Sequence, residues 1–191
     1  IAFDSTEKAC NFVITAIEKV GLKVGSDVSL ALDIASTQFF DGNKYNLTNL
    51  NKSFSKDEFI KYINNLVSNL PIISIEDPFA EDDWSSWSEF MQISPKNLQI
   101  LGDDLLTTNL TRLNRAITEK SANSILIKAN QNGLVSSTLN VLKQARANNF
   151  NTVVSARSGE NEDSWLADLA TGWSAGQIKV GSTHGSERNS K

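Results

Sequence analysis

Three apolar runs of this sequence end in carboxylates. The run SLALDIAS leads into Asp33, IISIEDPF leads into Glu76, and LQILGDDL leads through Gly102 into Asp103. Parallel strands of an α/β fold bring their carboxyl ends to one edge, where such folds bind ligands, so we expect these three side chains to converge. Three anionic groups around one point repel each other unless a cation lies among them. With no Cys or His nearby, the ligand chemistry favours Mg²⁺ over Zn²⁺.

Three further runs end in groups that suit an anionic substrate. The run SILIKAN has Lys128 near its end, and the run QIKVG has Lys179 near its end. The run NTVVSARSGE contains Arg157 and Ser158 after its apolar residues. A lysine that is crowded by a metal ion, a second lysine and low-dielectric walls loses its proton more easily and can act as a general base. A guanidinium together with the amides that follow Gly159 suits a phosphate group.

A metal ion, a general base and a phosphate clamp together predict proton abstraction next to a carboxylate, with the resulting dianionic enolate held on Mg²⁺. Each residue alone has an ordinary explanation. Either lysine could be a solvated strand end, Asp103 could cap a turn, and Arg157 could pair with Glu160 or Glu162. The recurrence of charged residues at successive strand ends favours the functional interpretation.

The elements that would position these residues alternate along the chain. Strands with a charged tip recur at intervals of roughly 20 to 45 residues, the length of a strand plus its returning helix. Neither GxGxxG nor a GxxxxGKS or GxxxxGKT motif occurs, which argues against a nucleotide-binding open sheet. We therefore predict an α/β fold over residues 1–191, a partial TIM-type (β/α) barrel with about six of the eight βα units. The other units would precede Ile1.

Two capping boxes predict where the first helices begin. Asp4 with Glu7 opens an amphipathic stretch, which predicts a helix over Ser5–Val20. Ser55 with Glu58 opens a second one. In such a box each side chain bonds to a free amide of the first turn, so each pair marks a helix start.

Other local signals predict a hairpin and two later helices. The Asp-Gly pair that starts at Asp41 lies between short apolar flanks and predicts a hairpin. An aromatic stripe that starts at Trp84 predicts core packing, in a helix whose first turn is acidic. A later helix should begin at Thr108 or Asn109 and turn Leu110 inward.

The composition is that of an ordinary globular domain. Of 191 residues, 40% are hydrophobic and 21% are charged, and the formal net charge of -4 gives no basic footprint for nucleic acid or an anionic membrane. No stretch has the ~20 apolar residues of a membrane span. The single cysteine, Cys10, excludes an internal disulfide, fits a reducing compartment and should be a small core residue. We expect a cytoplasmic protein.

The motifs resemble one known family over essentially the whole chain. ALDIAS followed by FFDGNKY, SIEDPFAEDDW, GDDLLTTN, LIKANQNG, VSARSGENEDSWLADLA and GQIKVGS, with SER near the end, look like the carboxyl-terminal barrel of enolase, the glycolytic phosphopyruvate hydratase. The stretch SARSGE and the lysine of the last strand distinguish it from the related racemases and cycloisomerases, which also use three acids on successive strands.

The resemblance implies a role for each candidate residue. The Mg²⁺ ligands would be Asp33, Glu76 and Asp103, and Lys128 would be the base that removes the α-proton of 2-phosphoglycerate. Glu76, Asp103 and Lys128 would also contact this small phosphorylated acid substrate. Its carboxylate region would bind to Lys179, and its phosphate to Arg157 and Ser158. The resemblance further implies a homodimer, with the cell surface as a second location beside the cytoplasm.

One position departs from the family pattern. Where the family reads Ser-His-Arg-Ser-Gly-Glu, this chain has Ala156, which can neither donate a hydrogen bond nor carry charge. The resemblance also places an amino-terminal domain, lid loops and the acid that protonates the departing hydroxyl upstream of Ile1, and a closing helix after Lys191. We expect residues 1–191 to be inactive alone. Two alternatives follow, a non-catalytic enolase-like binding protein and a relative with altered substrate specificity.

Overall fold

The computed structural model describes residues 3–191, which cluster into two compact units. The first unit extends to Ile100 and the second runs from Leu101 to Lys191. None of the helices among the described residues is both long enough and apolar enough to cross a membrane.

The first unit pairs helices with two parallel strands and an antiparallel hairpin. Its elements in chain order are α1 (Thr6–Lys19), β1 (Leu30–Asp33), a 3₁₀ helix (Ser36–Phe39), β2 (Lys44–Leu47), a second 3₁₀ helix (Thr48–Leu50), β3 (Lys52–Ser55), α2 (Lys56–Asn69), β4 (Ile72–Glu76) and α3 (Trp84–Ile93). β1 and β4 run parallel and β2 and β3 run antiparallel. β5 (Gln99–Gly102) crosses the boundary between the units.

An aromatic cluster forms the core of the first unit. Tyr45 and Phe59 stack with ring centroids 4.2 Å apart, and Phe79 meets Phe90 edge to face at 5.4 Å. These four rings and Trp87 are fully buried, which confirms the core role of the aromatic stripe in α3. Offset and edge-to-face ring pairs are favourable beyond the area that they bury.

Helix starts in the first unit follow the capping signals with one shift. At α2 the predicted box is present in full, with Ser55 accepting from the Glu58 amide and Glu58 accepting from the Ser55 amide. At α1 the prediction was one residue early. Ser5 is the N-cap and accepts from the Lys8 amide, while Asp4 pairs with the Lys8 ammonium. A hydroxyl directly before the first turn reaches the amide three residues on, and that geometry decides the cap.

Two other expectations for the first unit are corrected. The hairpin lies later than predicted, because β2 and β3 turn through Thr48–Leu50, and the Asp41 turn closes only an isolated bridge. α3 has no acid in its first turn, since Asp83 is its N-cap.

The second unit is a series of parallel strands with intervening helices. After β5 come α4 (Leu110–Glu119), β6 (Ser124–Lys128), α5 (Ala129–Asn132), α6 (Val135–Ala147), β7 (Asn151–Ser155), α7 (Trp165–Gly172), β8 (Gly176–Lys179) and α8 (Ser186–Asn189). β5 pairs with β6, β6 with β7 and β7 with β8, all parallel. All five residues of β6 are buried, as expected for a strand between two neighbours.

The start of α4 distinguishes between two predicted caps. Asn109 is the N-cap and accepts from the amides of Thr111 and Arg112. Leu110 does not face inward as predicted but is 43% exposed, and Leu113 and Ala116 form the buried face instead. The first residue of a helix lies outside the periodic stripe that packs, so periodicity misplaces it.

Candidate functional site

The first unit places two of the predicted acids at one rung of a parallel pair. Asp33 is the last residue of β1, Glu76 is the last residue of β4, and the two are register partners. Residues directly opposite each other project to the same face of a sheet, so these carboxylates are neighbours. Glu76 is 4% exposed and Asp33 is exposed. The sequence prediction that both acids terminate strands is confirmed.

The chain beyond β4 is fixed by the turn that follows β1. The Ile34 amide donates to the Glu76 carbonyl at 3.0 Å, and the Ser36 hydroxyl donates to the Pro78 carbonyl at 2.8 Å. Two non-glycine residues in this region, Ala35 and Asp77, have left-handed backbones with φ of 50° and 41°. Such conformations persist where the surrounding structure enforces them, and they often mark functional loops.

A buried carboxylate further along the same loop collects several donors. The Tyr45 hydroxyl and the Ser86 hydroxyl each donate to Asp83 Oδ2 at 2.7 Å, and Lys56 Nζ donates to Asp83 Oδ1 at 2.8 Å. The Ala80 amide donates to the Tyr45 hydroxyl at 3.1 Å. Asp83 therefore ties the hairpin and the start of α2 to the loop that follows Glu76.

The ionisation of Asp83 reflects this network. Burial alone would raise the pKa of Asp83, but hydrogen bonds from Lys56, Ser86 and Tyr45 outweigh burial and lower the pKa below its ordinary value. Burial in turn raises the pKa of the Tyr45 phenol. At neutral pH the Asp83 carboxylate is charged and the Tyr45 phenol is protonated, which is the combination that the observed hydrogen bonds require.

The second unit joins a predicted base to a predicted metal ligand. Lys128 ends β6 and is 7% exposed, and its Nζ donates to Asp103 Oδ2 at 2.5 Å. Asp103 follows β5 directly, so the pair links the ends of two neighbouring strands. Burying either charge alone would be strongly unfavourable, and the contact keeps each charge compensated.

Lys128 and Lys179 are arranged along one rung. Lys128 is the register partner of Ser155 on β7, and Ser155 is the partner of Lys179 on β8. Strands lie about 4.8 Å apart, so two strand spacings separate the two lysines along the sheet. The Ser155 hydroxyl donates to the Lys179 carbonyl at 2.8 Å. Both lysines therefore project from strand ends to one side of the sheet.

The predicted phosphate-binding residues follow β7. Arg157 and Ser158 are exposed, and the Arg157 amide donates to Asn130 Oδ1 at 3.1 Å. Asn130 lies two residues after Lys128, so this contact holds the Arg157 loop beside the end of β6. Gly159 has φ of 92°, a left-handed turn that glycine adopts without strain. The loop thus presents a guanidinium, a hydroxyl and main-chain amides to solvent.

Sequence reasoning did not identify two residues that support this site. The sequence pattern indicates only an acidic first turn around Asp83 and a helix cap at Thr108, yet both residues are buried, Asp83 bonds to Tyr45 of β2, and Thr108 bonds to the Lys128 amide of β6. A single polar residue in a turn carries no periodic signal, so nothing in the pattern indicated either role.

The donor chemistry fits Mg²⁺. Asp33, Glu76 and Asp103 offer only carboxylate oxygens, the ligands that this small, hard cation prefers. The first unit brings Asp33 and Glu76 together, and the second brings Asp103 to Lys128. The joint site of all three acids stays a prediction.

Comparison with known proteins identifies the family. Residues 2–191 match the family model described as "Enolase, C-terminal TIM barrel domain". The chain is also 46% identical over 187 residues to the curated protein named Enolase of Natranaerobius thermophilus, and this alignment covers 98% of the chain and 44% of that relative. The chain thus spans less than half the length of this relative. The match confirms the predicted fold class, a partial TIM-type barrel of the α/β class, and the chain belongs to the enolase family.

Proposed function

We propose that the native protein containing this chain is a phosphopyruvate hydratase, a lyase that interconverts 2-phosphoglycerate and phosphoenolpyruvate in glycolysis with the help of Mg²⁺. The observation that carries the proposal is the buried pair of Lys128 and Asp103, with Lys179 on the same rung as Lys128. Family membership supports the reaction class.

Lys128 is the residue that we assign to proton transfer. Lys128 is the last residue of β6, and the ion pair of its Nζ with Asp103 fixes the direction of a long and otherwise flexible side chain. As the neutral amine, Nζ held in this direction takes the C2 proton of 2-phosphoglycerate and becomes the ammonium, without a search over rotamers, and positioning of this kind is a large part of catalysis. In the reverse direction the same Nζ returns the proton.

The metal would be held by Asp33, Glu76 and Asp103. As is general for sites of the enolase superfamily, Mg²⁺ supplies positive charge that stabilises the enolate. The chain's own contribution is to hold these carboxylates at strand ends. Glu76 is buried at the rung that it shares with Asp33, so its carboxylate has little freedom to turn away.

The remaining site residues bind the substrate's anionic groups. Lys179 offers one positive charge on the same rung as Lys128 and is assigned to the carboxylate region of the substrate. Arg157 and Ser158 are assigned to the phosphate, because a guanidinium recognises phosphate oxygens in pairs. Ala156 leaves this loop without the imidazole of the family motif. Family membership gives no support to the non-catalytic or altered-specificity alternatives. A cytoplasmic homodimer stays a prediction.

The proposal is tested with the native protein at its full length. We expect formation of the enol product from 2-phosphoglycerate, followed by ultraviolet absorbance, to require Mg²⁺ and to stop on addition of EDTA. Lys128→Ala should lower kcat by about 10²- to 10⁴-fold, the usual contribution of a general base. Lys143→Ala removes an exposed lysine from α6 and serves as the matched control with wild-type kcat.

Two results would contradict the assignment. Wild-type kcat in Lys128→Ala would exclude Lys128 as the base. The folded wild-type protein could also fail to act on 2-phosphoglycerate but turn over another phosphorylated or carboxylated acid from a panel. That result would replace the proposed reaction by one of altered specificity.

A further inference from the structure

The turn between β5 and α4 contains two consecutive residues with left-handed backbones. Thr107 and Thr108 have φ of 47° and 49°. β-Branched residues rarely adopt this region, because their side chains crowd the backbone there. Two in succession indicate that the surrounding contacts enforce an unfavourable conformation, and strain of this kind concentrates at functional sites.

The contacts of Thr108 identify what the strained turn holds. Thr108 is fully buried, and its Oγ1 accepts a hydrogen bond from the Lys128 amide at 2.9 Å. Its hydroxyl proton is within reach of Gln131 Oε1 at 3.0 Å and of the Leu126 carbonyl at 3.3 Å. The Thr108 carbonyl in turn accepts from Asn132 Nδ2 at 2.9 Å. One threonine thus bonds to the main chain on both sides of Ile127.

These two main-chain groups are those through which a parallel strand bonds to its neighbour. The β5–β6 ladder runs through Leu101 and Gly102 and ends at the Gly102–Ile125 rung. At the next rung, centred on Ile127, a neighbouring strand would offer an acceptor to the Lys128 amide and a donor to the Leu126 carbonyl. Thr108 Oγ1 occupies that place, so a hydroxyl replaces a peptide group of β5.

This replacement frees the chain after Gly102 from the ladder. Asp103 can then turn its carboxylate onto Lys128 Nζ, as observed. Lys128 is therefore held at two points, its amide by Thr108 and its ammonium by Asp103. The Thr108 hydroxyl has one proton, for which the Leu126 carbonyl and Gln131 Oε1 are both within reach, and either acceptor leaves a lone pair directed at the Lys128 amide.

We propose that Thr108 is a positioning residue for Lys128, in which the buried hydroxyl fixes the end of β6 and hence the direction of the catalytic side chain. The proposal rests on the proposed function for its catalytic consequence, but the main-chain clamp itself is independent of any activity.

The first test measures the clamp without substrate, in the native full-length protein. Hydrogen exchange of the Lys128 amide is compared in wild type, Thr108→Val, Thr108→Ser and Thr138→Val. Thr138 is an equally buried threonine of α6 whose hydroxyl donates to the carbonyl of Leu134, the N-cap of this helix, so Thr138→Val is a matched loss of one buried hydroxyl. We expect exchange to accelerate about tenfold or more in Thr108→Val only, because only that change removes the acceptor of this amide.

The second test measures the catalytic consequence. In Thr108→Val, kcat and the rate of C2 proton exchange from 2-phosphoglycerate into solvent should both fall by about 10- to 100-fold, since a displacement of about 1 Å can cost 10²-fold in rate. KM should change little, because Lys179 and Arg157 are untouched. Thr108→Ser keeps the hydroxyl and should have a kcat close to that of wild type. A loss of stability alone would not explain a low kcat in Thr108→Val together with a normal kcat in Thr108→Ser.

Each outcome decides the proposal. Unchanged Lys128 amide exchange in Thr108→Val overturns the clamp. Faster exchange with kcat equal to that of Thr138→Val overturns the positioning role. If wild type does not act on 2-phosphoglycerate, the proposed function fails, while amide exchange still decides the clamp. If Thr108→Val does not fold, Thr108→Ala takes its place, because it removes the same acceptor of the Lys128 amide, and the same two criteria decide the proposal.

Discussion

Replacing Asp83 by asparagine tests how the loop after Glu76 is held. The Asp83 side chain is completely buried, and Lys56, its ion-pair partner, is 37% exposed. Oδ2 accepts from the hydroxyls of Tyr45 and Ser86, and Oδ1 accepts from Lys56. Asp83→Asn keeps the shape of the side chain but removes the charge and turns one of these two acceptors into a donor.

The size of the effect follows from the donors that lose their acceptor. The ammonium of Lys56 cannot accept a hydrogen bond, so the amide oxygen of Asn should face it and the amide nitrogen should face Tyr45 and Ser86. The Tyr45 hydroxyl already accepts from the Ala80 amide, so its own proton then has no acceptor. Loss of hydrogen bonds to a charged group and one buried unsatisfied donor together predict a loss of about 2–4 kcal/mol in the free energy of unfolding.

The assay is urea unfolding of the native full-length protein, together with hydrogen exchange of the Ala80 amide. Trp87 donates to the Ala80 carbonyl, so its fluorescence also reports on this loop. Asp57→Asn, at an exposed position in the first turn of α2, is the matched control and should change stability by no more than about 0.5–1 kcal/mol. A loss in Asp83→Asn no larger than in this control, with unchanged Ala80 exchange, would refute the reasoning.

Two further predictions concern acid stability and close packing. The pKa of Asp83 is lowered in the folded state, so the stabilisation by its carboxylate is complete above the unfolded pKa of about 4 and is lost as the pH falls through the folded pKa. The difference in the free energy of unfolding between wild type and Asp83→Asn should therefore shrink below about pH 4. A difference that stays constant in urea titrations at acid pH would contradict this. A Cβ at Gly102 would lie 2.8 Å from Leu106 Cγ, so Gly102→Ala should lower the free energy of unfolding by about 1–3 kcal/mol, whereas Gly172→Ala, where nothing lies within 4 Å, should not. Equal unfolding midpoints for the two alanine variants would exclude the clash.

The sequence was sufficient to predict the strand ends that carry charge. Asp33 and Glu76 close β1 and β4, and Lys128 and Lys179 close β6 and β8. In each of these strands the residues before the charge are uncharged, so the first charged residue marks where the strand ends, and parallel strands point their ends in one direction. Local sequence therefore contains this part of the site.

Turn chemistry explains why the hairpin was misplaced. Asp41 Oδ1 accepts from the amides of Asn43 and Lys44, which lowers the pKa of Asp41 to about 2, with further help from Asn46. A side chain that bonds to its own following amides closes a tight turn, and here only the Phe40–Tyr45 bridge pairs across it. The longer antiparallel ladder forms after it, because all four residues of β2 pair with β3.

Buried hydroxyls at strand ends account for the part of the site that local sequence does not contain. The Ser36 hydroxyl donates to the Pro78 carbonyl, 42 residues away, Thr108 bonds to the Lys128 amide, 20 residues away, and Ser155 donates to the Lys179 carbonyl, 24 residues away. In each case a short polar side chain satisfies a main-chain group at the end of a neighbouring strand. A peptide bond in that place would continue the sheet, and the site side chains would then have to follow its pleat. Because a hydroxyl satisfies the same main-chain group without extending the strand, the chain can diverge there, and this divergence is what lets Asp103 reach Lys128.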